Sequence, residues 1–230
     1  MLYHGEGEVQ MSVYVIDNVL SQEWAESIEN IVRSMNYRWG GRSLSMSTNY
    51  YPLELPKGLK WGDWEPKSGP NYHWIKKFGH NENDLKKTGN EWCVQLWEQL
   101  FINGNLKEHF SIDEMIDCYV NVHTHGQAPH LHPDNGNFTL LYYPQLNWDH
   151  QQWGGGITIW EPNIDGVDNI EKLEVLQHVL YKGNRLVMFD GWHWHRPEPV
   201  ARVCKDARYV VVYKTGKDGG NSERLGYYDN

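Results

Sequence analysis

Two well-separated segments carry side chains of the kinds that bind metal ions. His130–Asn135 reads HLHPDN, and Phe189–Val200 reads FDGWHWHRPEPV. His132 and Asp134 are two residues apart, and in extended backbone such positions point to one face. One imidazole nitrogen and one carboxylate oxygen then converge on a common point. His195 follows the apolar run RLVMFDG and can supply a third ligand from a neighbouring strand. Two histidines and one carboxylate on one face of an octahedral ion leave three positions open, which is the arrangement used by non-haem Fe(II). Zinc takes the same ligands and keeps one position for water. His130 and His193 crowd the same two segments and are alternative ligands on spacing alone. Chance also offers a bland reading, because twelve histidines in one chain make an isolated HxD common.

Such ligands need a rigid frame, and the sequence outlines one. MSVYVID (Met11–Asp17) is a β-branched and aromatic run that predicts a strand. A helix is expected at about Ser21–Met35, where Trp24, Ile28, Ile31, Val32 and Met35 share one face and Ser21 is the N-cap. From Tyr37 to about Lys87 the periodicity breaks down among prolines, glycines and aromatics. This stretch, with Trp61, Trp64, Tyr72 and Trp74, is expected to be a binding loop. NEWCVQLWEQLFI (Asn90–Ile102) predicts a second helix. Strands follow at 115–123, 137–143, 156–162, 185–191 and 207–214, separated by turn-rich segments such as QQWGGG. DNIEKLEVLQHVL reads as either a short helix or a further strand. Short strands with polar connectors indicate a sandwich or barrel, and the absence of a linker or repeat indicates one domain over 1–230.

Composition limits the function classes. Hydrophobic content of 40% with 22% charged residues is that of a globular chain. The net charge of −9 argues against a nucleic-acid partner, which needs a basic stripe. Twelve Trp and fourteen Tyr suit an aromatic core or a binding face for rings, sugars or peptides. Cys93, Cys118 and Cys204 are odd in number and widely spaced, which disfavours a disulfide framework and a structural zinc site. A reducing, cytoplasmic setting is expected, with no signal peptide in MLYHGEGEVQMSVYVID and no apolar run long enough to span a membrane.

The order of motifs adds a further reading. HPDNGNFTLLYYPQLNWDHQQWGGGITIWEP, then GNRLVMFDGWHWHRPEPV, then ARYVVVYK resembles the 2-oxoglutarate and Fe(II)-dependent oxygenases, in their prolyl-4-hydroxylase-like branch. The likeness runs from about Asp117 to Lys214, and the first strand and helix fit more loosely. It implies a mainly β fold with flanking helices, built on a double-stranded β-helix (a cupin-like jelly roll) at about 115–215. By this resemblance His132, Asp134 and His195 match the iron ligands. His195 is preferred to His193 because Phe189, Gly191, His195 and Pro199 follow the family's spacing. Arg208 matches the basic residue that grips the far carboxylate of 2-oxoglutarate. Tyr143 matches a tyrosine on the same carboxylate, and Thr139, on the same strand face, is expected to line that pocket. His123 stands where many relatives carry a tyrosine. The interval from His195 to Arg208 is a few residues longer than is common, and a bulge or longer turn at RVCKD would absorb it.

The function implied is hydroxylation of an unactivated C–H with release of succinate and CO2, using O2 and, as in relatives, ascorbate as reductant. The carboxylate of Asp134 favours hydroxylation over halogenation. A prolyl or lysyl side chain, or a related amino-acid-like small molecule, is the expected substrate. Two other classes remain: a catalytically silent jelly roll that binds sugars or peptides, and a zinc-dependent cupin-like hydrolase or isomerase. Oligomeric state has no signature in the chain.

Overall fold

The structure, a computed structural model, describes residues 13–42, 72–106, 114–127, 131–132, 134, 137–161, 173–191 and 193–216. Ten strands and four helices occur in these segments: β1 (Val13–Asp17), α1 (Gln22–Ser34), β2 (Arg38–Arg42), β3 (Tyr72–Gly79), α2 (Glu82–Lys87), α3 (Glu91–Asn103), β4 (Glu114–His123), β5 (Phe138–Tyr143), α4 (His150–Trp153), β6 (Ile157–Trp160), β7 (Val175–Val179), β8 (Arg185–Asp190), β9 (Trp194–Pro197) and β10 (Arg208–Gly216). A seven-stranded sheet runs β1-β8-β5-β10-β4-β3-β2, and a three-stranded sheet runs β7-β6-β9. Every pairing within them is antiparallel. This is the jelly-roll architecture expected from the sequence.

The large sheet is apolar on both faces, and alternation along each strand divides the core in two. Leu140, Tyr142, Leu186, Met188, Val211 and Tyr213 face the helices. There they meet Ala25, Ile28 and Val32 of α1 and Leu96, Trp97 and Leu100 of α3. The Tyr213 hydroxyl donates to the Cys93 carbonyl at 2.8 Å, which ties α3 to β10. The opposite face presents Leu141, Tyr143, Val187, Phe189, Val210 and Val212, which pack on Ile157 and Ile159 of the small sheet. That second layer is the interior of the jelly roll.

Local chemistry sets the element ends. The Ser21 hydroxyl accepts from Trp24 N at 3.3 Å and opens α1 as its N-cap. Asn184, in left-handed backbone at φ 57°, turns the chain into β8. Its side chain accepts from Leu20 N at 3.0 Å and donates to Leu20 O at 2.8 Å, which fixes the start of α1 against the sheet. Arg185 pairs with Asp17 at 2.6 Å across the β1–β8 edge.

One expectation needs correction, one open alternative is settled and two elements are new. The stretch 37–87 is not one irregular loop, since β2, β3 and α2 lie within it. β3 was hidden because its inward face carries His73 where an alternating strand would show a hydrophobe. Trp61 and Trp64 fall outside the described residues. The ambiguous segment contains strand β7, and 168–172 lie outside the described residues. β9 and α4 were not anticipated, because WHWHRP and HQQW are short and carry no apolar period. Cys93, Cys118 and Cys204 are free thiols. No helix among the described residues is long and apolar enough to cross a membrane.

Candidate metal centre

β9 enters the small sheet beside β6, with Ile159 opposite His195. Its backbone also bridges the HxD segment. His132 N donates to His195 O at 3.1 Å, and His195 N donates to His132 O at 2.9 Å. Asp134 N donates to Gly191 O at 2.7 Å, at the end of β8. Main-chain bonds thus bring the two distant sequence segments together.

The side chains follow. One potential ligand atom from each of His132, Asp134 and His195 lies within 4.8 Å of the others. His195 Nδ1 is 3.0 Å from the His193 carbonyl, which can only accept, so Nδ1 carries the proton. Nε2 is left with its lone pair, 3.5 Å from Asp134 Oδ2. His132 Nε2 lies 3.8 Å from Asp134 Oδ1. Burial lowers the proton affinity of His195, against the pull of Asp134, and keeps the imidazole neutral as a ligand must be. Burial works against charge on Asp134 as well, but the Lys214 ammonium is the strongest pull the other way, and the carboxyl lies well below its usual range. Two donors fix that carboxylate: Thr139 Oγ1 at 2.7 Å to Oδ2 and Lys214 Nζ at 2.7 Å to Oδ1.

The remaining histidines of these segments sit apart. His193 turns its Nδ1 toward the Trp160 carbonyl at 3.3 Å and does not join the group. His130 lies outside the described residues.

The three ligands share a cavity with Arg208, of about 50 Å³, several times what one water needs. His73, Tyr119, Asn121 and His123 also line it. Pairing explains the wall: His123 opposes Arg208, and Trp74 opposes Val122, so His73, His123 and Arg208 stand in one cross-strand row. The His73 and His123 rings stack at 5.1 Å. Arg208 Nη1 donates to His123 Nδ1 at 3.3 Å, which places the remaining proton of a neutral His123 on Nε2. Burial, then the Arg208 charge, pushes His123 well below its usual proton affinity.

Arg208 is 2% exposed, yet no carboxylate among the described residues pairs with it. Its Nε donates to Gly155 O, and its guanidinium lies 5.6 Å and 5.4 Å from the Tyr143 and Tyr181 ring centres. Gly155 is needed for that approach, since a Cβ there would meet Arg208 Cδ at 3.0 Å. Tyr143 stacks on Tyr181 at 4.4 Å, and its buried hydroxyl meets no acceptor among the described residues. The segment 201–206 forms a turn that accommodates the longer interval from His195 to Arg208.

Thr139 differs from its expected place. It bonds Asp134 and is absent from the cavity wall, because its position on β5 opposite Lys214 and Phe189 puts it under the HxD segment. Tyr119, Asn121, His73 and Lys214 were missed by sequence reasoning. The period of two on β4 (119, 121, 123) and on β10 (208, 210, 212, 214) was the signal that could have found three of them.

No protein-family model matches the chain, and no curated protein matches it. Solved structures do. A Pseudomonas putida prolyl-4-hydroxylase aligns with a TM-score of 0.55 at 11% identity, over 90% of this chain and 94% of that one. A Trichoplax adhaerens prolyl hydroxylase, in complex with a hypoxia-inducible-factor peptide fragment, aligns at 0.52 and 18% identity, over 90% and 84%. HygX from Streptomyces hygroscopicus, with nickel, 2-oxoglutarate and hygromycin B bound, aligns at 0.57 and 9% identity, over 90% and 83%. The chain has the fold of the 2-oxoglutarate oxygenases. At these identities the likeness is one of fold. Within that oxygenase fold, the donor set of this chain suits a divalent ion: two imidazoles, one anionic carboxylate and a neighbouring cavity.

Proposed function

We propose that this chain is an Fe(II)- and 2-oxoglutarate-dependent dioxygenase that hydroxylates an unactivated C–H. The observation that carries the reading is the cavity itself, which joins a two-histidine, one-carboxylate group to a buried arginine without a carboxylate partner. A guanidinium removed from water costs several kcal/mol unless an anion meets it. The Tyr143 hydroxyl near it has no acceptor among the described residues and asks for one too. A dicarboxylate that reaches from Arg208 toward the His–Asp–His group satisfies both.

His132, Asp134 and His195 would hold the metal, and Arg208 with Tyr143 would hold the far carboxylate of 2-oxoglutarate. His123 is the one expected cosubstrate contact that both lines the cavity and bonds Arg208. With both bound, the site supplies oxidising power from O2, with one oxygen ending in succinate and the other in the hydroxylated product. The chain's own residues orient and shield. The tautomer of His195 is set by the His193 carbonyl. Thr139 and Lys214 hold Asp134 at a fixed angle. Leu141, Ile157, Val210 and Val212 keep bulk water from the cavity. Tyr119 presents its ring to the same space.

The substrate proposed is a prolyl or lysyl side chain of a peptide, or a related amino-acid-like small molecule. One fold neighbour was solved with a peptide fragment and another with hygromycin B, so proteins of this fold take both peptide and small-molecule ligands. The test is succinate formation from 2-oxoglutarate, followed by NMR with Fe(II), O2 and ascorbate, against a panel of proline- and lysine-containing peptides and free amino acids. Substrate-stimulated succinate with hydroxylated product supports the reading. Metal binding with no 2-oxoglutarate consumption points to a zinc hydrolase or a silent binding module instead.

A further inference from the structure

A buried lysine on the metal-binding carboxylate is unusual, because a cation there opposes the ion the carboxylate serves. Lys214 lies on β10, six residues beyond Arg208 and on the same inward face. It is 9% exposed, its Nζ is 2.7 Å from Asp134 Oδ1, and it lies 5.8 Å from the centre of the Tyr119 ring. On β5, Lys214 is opposite Thr139, the other donor to Asp134. On β4 it is opposite Asp117, whose buried Oδ1 has no hydrogen-bond partner among the described residues.

We propose that Lys214 is a positioning residue that keeps Asp134 ordered without metal and weakens the centre's hold on divalent ions. This rests on the metal-site reading above. Two effects of Lys214 oppose each other. Its hydrogen bond orients the carboxylate, which helps an incoming ion. Its charge repels that ion across a region with little water, where Coulomb interactions are several-fold stronger than in solvent. The orienting part is shared: Thr139 Oγ1 and the backbone bond of Asp134 to Gly191 remain when Lys214 is removed. Among the described residues, Lys214 is the only lysine or arginine paired with that carboxylate, and it carries the repulsive part. Charge therefore decides the sign, and loss of the lysine tightens metal binding.

The test is titration of the whole purified protein with Ni(II) and Mn(II) in mildly alkaline buffer, against a competing chelator. Lys214→Met should bind both ions roughly tenfold tighter or more than the wild type, and Lys214→Arg, which restores the cation, should return the wild-type value. A purely structural role predicts the reverse, a weaker site in Lys214→Met. Circular dichroism checks folding, and Lys214→Gln, which keeps a donor without the charge, replaces Lys214→Met if that variant does not fold. Wild-type-like or weaker affinity in the folded uncharged variant overturns the inference alone. A wild-type protein that binds neither ion overturns both the inference and the metal-site reading.

Discussion

Arg208 holds a buried charge on the wall of the cavity, and the reading of the site turns on what meets that charge. Arg208→Ala should lower 2-oxoglutarate affinity by on the order of 100-fold, because truncating one partner of a buried charge pair costs several kcal/mol. Isothermal titration of the metal-loaded protein measures it, and unchanged affinity would detach Arg208 from the cosubstrate. Thr139 has a different task from the one its strand parity suggested. Thr139→Val removes a neutral donor from Asp134 Oδ2 and should weaken Ni(II) binding about tenfold with little change in fold stability. An unchanged Ni(II) titration would reduce Thr139 to packing. The grouping of the proposed ligands was legible in the sequence, since the HxD pair and the later histidine do come together. Tyr119, His73 and Lys214 were not. The period of two puts Tyr119 and Lys214 on the faces of His123 and Arg208, but it does not say which strands become neighbours, and His73 carries no such signal.

At the scale of elements, the hinge between helix layer and sheet is Asn184. It caps both the N–H and the carbonyl of Leu20 while its own backbone is left-handed. Asn184→Ala leaves two buried polar groups unpaired and strains the turn, and should cost about 2–4 kcal/mol in a denaturant unfolding experiment. Asn184→Gly keeps the turn relaxed and should cost less. Equal losses would show that φ contributes nothing. The strands β4, β5, β8 and β10 were visible in the sequence because both faces of the large sheet are apolar over long runs. β3 was obscured by the histidine it turns inward, and β9 by its brevity. In both cases the polar residues that blur the pattern are those nearest the site.

At the scale of the molecule, the cavity places neutral histidines inside a jelly roll, and that makes the metal-free protein acid-sensitive. Burial, partly offset by the Asn121 hydrogen bond, lowers His73 to about 4 from an ordinary 6.5. The folded state then binds fewer protons than the unfolded chain across that window. His73 thus contributes stability that is present above pH 6.5 and lost as pH falls through about 4. The unfolding midpoint of the metal-free protein should fall between those values, and His73→Gln should flatten part of the slope. An identical slope in the variant would assign the acid sensitivity elsewhere. Ligands act in the opposite direction, since an ion and a dicarboxylate that bind only the folded state stabilise it.

The most direct single measurement is the anaerobic visible absorption spectrum of the purified protein with Fe(II), recorded before and after 2-oxoglutarate. A band that needs both components, and that is lost in His132→Ala, is the predicted result. It would mean that HLHPDN and WHWHRP meet around one iron that also holds the cosubstrate. Metal binding without any such band would contradict the account.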